Sequence, residues 1–432
     1  MAGLSEATSG LLRNAWADLG GEADLLELVS LSGDEAGLLP STLAALPAML
    51  AAVAAATLAA SVLDGARRDG APAPVLVDAE HVALAARSER FARDGESEGA
   101  DLFAPLSQFW RTADGWLRLH ANYAWHRERA LRVLGCRDAP ESVEEAVLSW
   151  RGEELERALA ASAALGFVVR SSREWRAHPQ GSAVAELPLL EYCRPGRHPD
   201  AGRVGCGGAE TGQSAPTRDP PGAGIGHAAR KAQRAARFRG AVGAGTPRGA
   251  VGRGRRGGTG LQAGGAIPLR PGSRRPAQRH PHLSVVTLSA WGSAGPWAAM
   301  RGFDSLVQCS TGIASAEGDR GNPGTLPAQV LDHATGYLAA ASALVALAGV
   351  ERGEPPRSIR LSLAQTAQWL TGAGSSEREP PRLPRPERFL VSLPGAARRV
   401  DVMGPPGTAG DLKPRWTSTT ELGADPAAFT MP

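Results

Sequence analysis

A stretch in the middle of the chain limits what the whole 432-residue sequence can fold into. Residues 194–280 contain 17 Lys/Arg, 3 Asp/Glu and 21 glycines, but eight large apolar residues among 87 positions. No apolar period of about 2.0 or 3.6 residues survives there, so neither a strand nor an amphipathic helix is indicated. Such a segment buries too little apolar surface to offset its ordering entropy. We therefore expect two structured parts on either side of it.

Three interpretations of residues 194–280 compete: a flexible basic linker, an arginine/glycine-rich nucleic-acid tail, and a frame-shifted stretch of a GC-rich coding sequence. Phe238 is its one aromatic residue of the Phe, Tyr and Trp class, and single-stranded nucleic acids are bound largely by aromatic stacking. No nucleic-acid partner is therefore expected. We favour the frame shift, because Gly, Ala, Arg and Pro are the other-frame products of GC-rich codons. One base inserted or deleted near codons 193 and 280 is its signature in the DNA.

Composition outside this stretch is that of a soluble globular protein. The formal net charge of +3 hides an asymmetry, since the remaining chain has 30 basic residues (47 minus 17) and 41 acidic ones (44 minus 3). The most apolar run, Leu43–Val62, is rich in alanine and interrupted by Pro47. We interpret it as a buried helix, so no membrane association is expected. The N-terminus shows no basic region followed by an apolar stretch, so no secretory signal is predicted.

The four cysteines form no close CxxC pair, and their spacing suits neither a zinc site nor a disulfide scaffold. They predict reduced thiols, a cytoplasmic location and no bound metal. Cys309 is expected to be a buried, small apolar side chain. His120 and His126 are not expected to bind a metal, because no acid or cysteine partner has the right spacing.

Helices and strands mix in residues 40–192, which form the first structured half. Gly135 and Gly166 are predicted to end helices, and Ala113–Gly115 supplies a tight hairpin turn. The predicted elements are helix Leu43–Arg67, strand Val75–Asp78, helix Ala79–Arg93, hairpin Phe109–His120, helix Trp125–Leu134, a largely helical stretch Val143–Leu165, strand Phe167–Arg170 and a short helix capped by Ser172.

The second half begins at Leu283. Its predicted elements are buried strand Ser284–Ser289, a Gly/Pro loop Ala290–Trp297, helix Phe303–Thr311, helix His333–Leu347 opened by Asp332, strand Ile359–Leu363 and helix Ala364–Leu370. Residues 58–84 echo residues 342–368 at a shift of 284, which predicts an internal repeat. The same shift places Ala48 opposite Asp332, so the first copy would have lost this carboxylate.

A set of motifs in the second half resembles the class III CoA-transferase family, which includes formyl-CoA and carnitine-CoA transferases and α-methylacyl-CoA racemase. The motifs are a Ser-x-x-Gly-x-x-Gly-Pro-like loop in Leu288–Trp297, Gly-x-Asp and Gln-x-x-x-Gly in Arg301–Gly312, and the helix-head aspartate in Leu326–Tyr337. Trp110–Trp116 and Gly166–Pro179 resemble the family's smaller domain. Pro414–Pro426 resembles its C-terminal ending. The family's first nucleotide-binding unit is expected just before Leu283, where the anomalous stretch lies.

This resemblance implies an α/β fold: a Rossmann-like CoA-binding domain with a smaller α/β domain. The predicted division is 1–94, a degenerate first copy; 95–192, the small domain; 193–281, the Gly/Arg-rich segment; and 282–432, the catalytic region with the C-terminal segment. An interlocked homodimer is implied, although a tandem chain could build a pseudo-dimer by itself. Coenzyme A enters as substrate, and no permanently bound cofactor is expected.

The implied reaction moves CoA between an acyl-CoA and a free carboxylic acid through covalent catalysis by an aspartate. Asp332 is the predicted nucleophile, because a helix N-terminus stabilises an anionic carboxylate and an oxyanion. An ordinary N-cap is its alternative role. Tentative CoA or acyl contacts, each with a structural alternative, are Gly292, Gly295, Arg301, Gln308 and Gly336.

Two alternatives to transferase activity remain. One is an inactive or damaged relic that binds acyl-CoA weakly without turnover. The other is α-methylacyl-CoA racemization, which in this family uses a histidine just before the aspartate of the Gly-x-Asp motif. Phe303 occupies that place here, before Asp304. Without a base–acid pair, exchange of an α-proton has no evident second group, so the sequence favours the transferase.

Limited proteolysis tests the interpretation of the middle segment. We expect residues 194–280 to be cleaved before either flank, since a segment without a core opens readily. Mass spectrometry of the early fragments identifies the cleavage sites. Strong amide-exchange protection across Arg230–Arg279 would contradict the prediction.

Overall fold

A computed structural model describes residues 3–93, 103–193, 282–375, 377–395 and 399–417. The interpretations placed on residues 194–280, including the frame shift, lie outside the described residues. The domain boundaries near residues 94 and 193 fall at or beside the edges of the described ranges and stay predictions.

The first half is built around one long helix between two parallel strands. Helix α1 (Glu6–Asp18) precedes strand β1 (Val29–Ser32), helix α2 (Ala45–Arg67), strand β2 (Val75–Asp78) and helix α3 (Ala79–Ala85). Strands β1 and β2 pair in parallel. Asp78 caps α3 by accepting a hydrogen bond from the backbone N–H of His81 at 2.9 Å. Helix α3 ends earlier than predicted and is followed by a 3₁₀ turn, Ser88–Arg90.

The middle of the described chain forms a small antiparallel sheet covered by helices. Strands β3 (Phe109–Arg111), β4 (Trp116–Leu119) and β5 (Gly166–Val168) pair in that order. The helices are α4 (Ala124–Leu134), α5 (Pro140–Leu148), α6 (Gly152–Ala161), α7 (Ser172–Ala177) and α8 (Pro179–Ala185), and strand β6 (Glu191–Cys193) follows. The sheet and helices α4–α6 share a separate apolar core that includes Trp110, Leu117, Val143 and Leu155.

Two details in this region differ from the sequence predictions. The stretch Val143–Leu165 forms two helices, because Asp114 accepts a hydrogen bond from the backbone N–H of Gly152 at 2.8 Å and starts α6 separately. The cap of α7 is Ser171 and not Ser172. Ser171 and Glu174 form a reciprocal capping box, in which each side chain binds the other's backbone N–H.

The second half repeats the strand–helix–strand–helix order. Its elements are β7 (Val285–Ser289), α9 (Asp304–Ser310), α10 (Ile313–Ala316), α11 (Val330–Glu351), β8 (Ser358–Ser362) and α12 (Leu363–Gly372). Strands β7 and β8 are parallel, and β6 pairs antiparallel with the other edge of β8. Strand β7 is half-buried and not buried as predicted, because it is the edge strand of this sheet among the described residues.

Three short strands complete the described chain. Strands β9 (Leu390–Pro394) and β10 (Arg399–Met403) form an antiparallel hairpin. Strand β11 (Thr408–Ala409) pairs with β2 and returns the C-terminal part to the first half.

The described elements follow the order and spacing that the predicted internal repeat requires. A shift of 284 residues carries α2 onto α11, β2 onto β8 and α3 onto α12, and it carries the cap Asp78 onto the cap Ser362. The two long helices pack against each other. Arg67 Nε and Glu351 Oε1 lie 3.0 Å apart, and 67 plus 284 is 351. Contact between equivalent positions is what a pseudo-twofold axis between the copies requires.

Helices α2 and α11 are long and apolar enough to cross a membrane by length and composition. In the α2 window 83% of the residues are buried inside the structure, and in the α11 window 50%. The burial of α2 confirms the prediction of a buried helix over Leu43–Val62. Core helices of globular proteins share these properties.

A pair of leucine-to-alanine substitutions tests the central role of α2. Leu50 is fully buried in α2, whereas Leu76 on β2 is 46% exposed. We expect Leu50→Ala to lower the free energy of unfolding by about 2–5 kcal/mol, because it leaves a cavity. The matched Leu76→Ala is expected to cost about 0.5 kcal/mol or less. Urea denaturation measures both, and equal losses would contradict the assignment of the core.

Candidate active site

Asp332 lies in the first turn of α11 as its third residue. The helix begins at Val330 with Gln329 as its N-cap, three residues before the predicted start at His333. The earlier start has a packing reason, since Val330 and Leu331 are fully buried and dock this turn in the core. Asp332 is partly exposed, and it does not occupy the N-cap position. The first turn therefore carries the carboxylate where the helix dipole favours negative charge.

The backbone of this first turn is bound by a second carboxylate, that of Asp304 at the start of α9. Asp304 Oδ2 accepts a hydrogen bond from the backbone N–H of Asp332 at 3.0 Å, and the N–H of Leu331 also donates to this carboxyl. Helix N-termini leave such N–H groups without partners inside the helix. Asp304 thus caps α11 from another helix, which fixes the backbone that carries Asp332.

Asp304 is fully buried. Burial, and next the negative charge of Asp332, raise the pKa of Asp304 to about 7, against the opposing effect of its hydrogen bonds from Asp332, Gln308 and Leu331. Two carboxylates at close range disfavour simultaneous ionisation. The charge on Asp332 therefore affects the ionisation of Asp304.

Gln308 supports Asp304 from one turn further along α9. Its side-chain N–H donates to Asp304 Oδ1, and its Oε1 accepts from the backbone N–H of Leu326 at 2.9 Å. Both ends of this buried amide are thus bound to protein groups. The structure places Gln308 beneath the candidate site as a link between α9 and the segment leading into α11.

The Gly/Pro loop after β7 is held by Gln180 of α8, a residue that sequence reasoning missed. Gln180 is fully buried. Its amide donates to the carbonyls of Trp291 and Ala294, each at 2.8 Å, and accepts from the N–H of Trp297 at 2.6 Å. No local signal marks a helical glutamine for this role, because its partners lie more than 110 residues away.

Gly292 and Gly295 shape this loop. Both adopt left-handed φ angles, 95° and 88°, which side chains rarely tolerate. A Cβ at Gly295 would also lie 2.5 Å from Gln180 Oε1. The backbone angles at both positions, and the close packing at Gly295, thus account for these glycines. Gly336, four residues after Asp332, lies on the same side of α11 and is partly exposed.

An aromatic layer joins the small sheet to this loop, and a buried ion pair lies beside the sheet. Trp291 and Trp297 contact each other, with ring centroids 4.8 Å apart, and both contact Phe167. Arg170 binds Glu156 through two hydrogen bonds of 2.9 Å, and the backbone N–H of Arg170 donates to Cys309. Cys309 is buried as predicted, and burial raises the pKa of its thiol to about 12.

Arg301 and Phe303 lie against the loop that follows β4. Arg301 is half-buried, and its Nη1 is 3.5 Å from Nε2 of His126. The Phe303 ring stacks on His120 with centroids 3.8 Å apart. Burial, followed by the charges of Arg301 and Arg129, lowers the pKa of His126 to about 4. His126 is therefore neutral at neutral pH, and Phe303, the residue before Asp304, packs on His120.

Among the described residues of the first half, no counterpart of this carboxylate pair is present. Residues 33–44 connect β1 to α2, whereas residues 290–329 connect β7 to α11 and include the glycine loop and α9. Ala48, the position equivalent to Asp332, is fully buried. A cleft of about 1620 Å³ is lined by residues of α1, of the connection between β1 and α2, and of α12. Asp332, Asp304 and Gln308 are not among its lining residues. We therefore place the candidate site at the Asp304–Asp332 carboxylate pair and not in this cleft.

Comparison with known proteins agrees with the motifs. Residues 267–382 match the model of CoA-transferase family III. A stretch of 120 residues is 27% identical to a protein named probable fatty acyl-CoA transferase Rv3272 from Mycobacterium tuberculosis (strain ATCC 25618 / H37Rv), covering 26% of this chain and 30% of that relative. No solved structure matches the chain significantly. The resemblance to class III CoA-transferases is thereby confirmed, and the region from 267 to 382 carries it.

The raised pKa of Asp304 predicts a specific pH dependence of stability. This carboxyl ionises near its ordinary value of 3.8 in the unfolded chain and at about 7 in the folded protein. Between these values the folded protein binds more protons. The contribution of Asp304 to stability is therefore complete below pH 3.8, falls as pH rises and is lost above about 7.

Urea denaturation of the wild type and Asp304→Asn at about pH 4, 6 and 8 measures this contribution. We expect the stability of the wild type relative to the variant to decrease from the lowest pH to the highest. Asp319→Asn is the matched control, because the Asp319 side chain is 87% exposed. A constant difference between wild type and Asp304→Asn across the series would contradict the prediction.

Proposed function

We propose that this chain transfers CoA between an acyl-CoA and a free carboxylic acid, with Asp332 as the acyl-accepting nucleophile. The observation that carries the proposal is the partly exposed Asp332 in the first turn of α11, where Asp304 binds its backbone, within the region that matches CoA-transferase family III. The name of the M. tuberculosis relative extends the proposal to a fatty acyl-CoA as donor. The Rossmann-like arrangement, the homodimer and the cytoplasmic location belong to the same proposal.

The reaction follows from the chemistry of a carboxylate nucleophile. A carboxylate oxygen of Asp332 attacks the thioester carbonyl of the acyl-CoA, and the C–S bond breaks to release CoA thiolate and leave a mixed anhydride. The thiolate then attacks the aspartyl carbonyl, which frees the donor acid and forms an enzyme thioester. The acceptor carboxylate attacks this thioester, giving a second anhydride and releasing the thiolate again. Attack of the thiolate on the acceptor carbonyl yields the new acyl-CoA and restores Asp332.

The surrounding residues contribute position and electrostatics to these steps. Asp304 and Gln308 hold the first turn of α11, so the nucleophile is oriented before the substrate arrives. Well-oriented groups of this kind account for roughly 7–11 kcal/mol of barrier reduction in favourable cases. The positive end of the α11 dipole favours the anionic carboxylate and the oxyanion that forms upon attack.

A second candidate function is weak binding of acyl-CoA without turnover. The observation that favours it is the composition of residues 194–280, which fall where the family has its first nucleotide-binding unit. Titration calorimetry with acyl-CoA, beside an assay of acyl transfer, distinguishes the two functions. Binding without transfer supports the second.

Substitution of Asp332 tests the proposed nucleophile. We expect Asp332→Ala and the isosteric Asp332→Asn to reduce acyl transfer to background, because neither side chain has a carboxylate to accept the acyl group. Circular dichroism and thermal unfolding should show that both variants fold. Asp319→Asn, an exposed substitution, serves as the control.

Trapping provides a direct readout of the covalent intermediate. Hydroxylamine added during turnover should convert the activated carboxyl of Asp332 to a hydroxamate, which mass spectrometry of the peptide around Leu326–Tyr337 detects. Full transfer activity in Asp332→Ala, or a label that appears at another carboxylate, would overturn the assignment.

A further inference from the structure

The 3₁₀ turn Ser88–Arg90 and the preceding Arg87 reach across to the start of α11. Arg87 Nε and Arg90 Nη2 lie 3.3 and 3.4 Å from the carbonyl oxygen of Pro327 and donate to it. Glu89 Oε2 lies 3.6 Å from Nε2 of His333. Pro327 precedes α11 by three residues, and His333 directly follows Asp332. These three contacts, made by residues 87–90, thus lie on either side of the proposed nucleophile in sequence.

The contact between Glu89 and His333 is largely removed from water. The side chain of Glu89 is 3% exposed and that of His333 is 12% exposed. Solvent screening makes most surface ion pairs weak, but a desolvated carboxylate depends strongly on its polar neighbours. The contact is an ion pair when His333 is protonated, and it then holds His333, and with it the first turn of α11, in one position.

The equivalent crossing in the other copy of the repeat does not use the same polar pair. The shift of 284 carries residue 43 onto 327 and residue 91 onto 375, and Leu43 and Ser375 form the equivalent crossing as an isolated β-bridge. The positions equivalent to Glu89 and His333 at that crossing are Ala373 and Met49. The carboxylate–imidazole pair thus occurs at the crossing beside Asp332 and not at its counterpart.

We infer that the first half of the chain positions the nucleophile through a cross-half clamp made of Arg87, Glu89 and Arg90. In this clamp, Glu89 is a positioning residue that acts through His333, and the two arginines act through the carbonyl of Pro327. The effect on turnover rests on the proposed function, whereas the effect on the order of α11 does not. A carboxylate in one copy of the repeat thereby serves the chemistry retained in the other.

The physical argument combines two anchors on one helix turn. Asp304 binds the backbone N–H of Asp332 from the α9 side, and the clamp binds Pro327 and His333 on either side of it in sequence. A displacement of about 1 Å at a reacting group reduces turnover by about 100-fold. Loss of one anchor leaves the nucleophile present but less well oriented.

Kinetics of Glu89→Gln, His333→Asn and the double variant test the clamp. We expect kcat to fall by about 10- to 100-fold in each single variant, with KM for acyl-CoA changed by less than about two-fold. The double variant should resemble the single variants, because both remove the same contact. Glu80→Gln is the matched control: Glu80 also lies in the first half, and it binds Arg382 and Arg388 away from α11.

Amide hydrogen exchange of the resting protein gives a readout that needs no turnover. We expect faster exchange at Leu331–Thr335 in Glu89→Gln and His333→Asn, and unchanged exchange there in Glu80→Gln. Should the wild type lack transfer activity while this exchange pattern appears, the proposed function fails and the clamp stands.

Additive losses in the double variant, or wild-type kcat and wild-type exchange in Glu89→Gln, would overturn the clamp. Arg90→Gln, which keeps Glu89, is the second variant should Glu89→Gln fail to fold. It is expected to raise exchange at the same amides, and unchanged exchange there would also count against the clamp.

Discussion

The hydrogen bonds between the buried Asp304 carboxylate and the first turn of α11 are the interaction on which the candidate site depends. A carboxylate removed from water needs donors close by, and here the donors are the Gln308 amide and the N–H groups of Leu331 and Asp332. Satisfying this group brings α9 against the N-terminus of α11. Asp332 itself is partly exposed at the helix end, although its Oδ1 is buried.

The predicted repeat accounts for a site that the described residues contain in one half of the chain and not in the other. Helices α2 and α11 pack along each other near a pseudo-twofold axis marked by Arg67 and Glu351. Both copies must present apolar faces for this packing, whereas the proposed reaction needs a single pair of carboxylates. The first copy keeps the packing, with fully buried Ala48 opposite Asp332, and has a short connection where the second copy places its glycine loop and α9.

Local patterns predicted much of the fold. The hairpin around Gly115, the end of α4 at Gly135 and the long helix starting near Leu43 follow from turn residues, a left-handed C-cap and apolar composition. Asp332 was predicted as the nucleophile from a motif, and the structure places it in the first turn of α11. Gln180 and Glu89 were not found, because each acts on residues more than 100 positions away and neither has a distinctive neighbourhood in sequence. The start of α11 was also missed, since burial of Val330 and not a capping signal sets it.

The proposed nucleophile is therefore held by two anchors, one close to it in sequence and one distant from it. The α9 anchor is 28 residues from Asp332 and belongs to the same copy of the repeat, so it forms whenever that copy folds. The clamp residue Glu89 lies 244 positions before His333 (333 minus 89) and forms only when the two copies dock. Docking and orientation of the nucleophile are consequently coupled: a substitution that loosens the α2–α11 interface should also loosen the first turn of α11, although no residue of the site has changed.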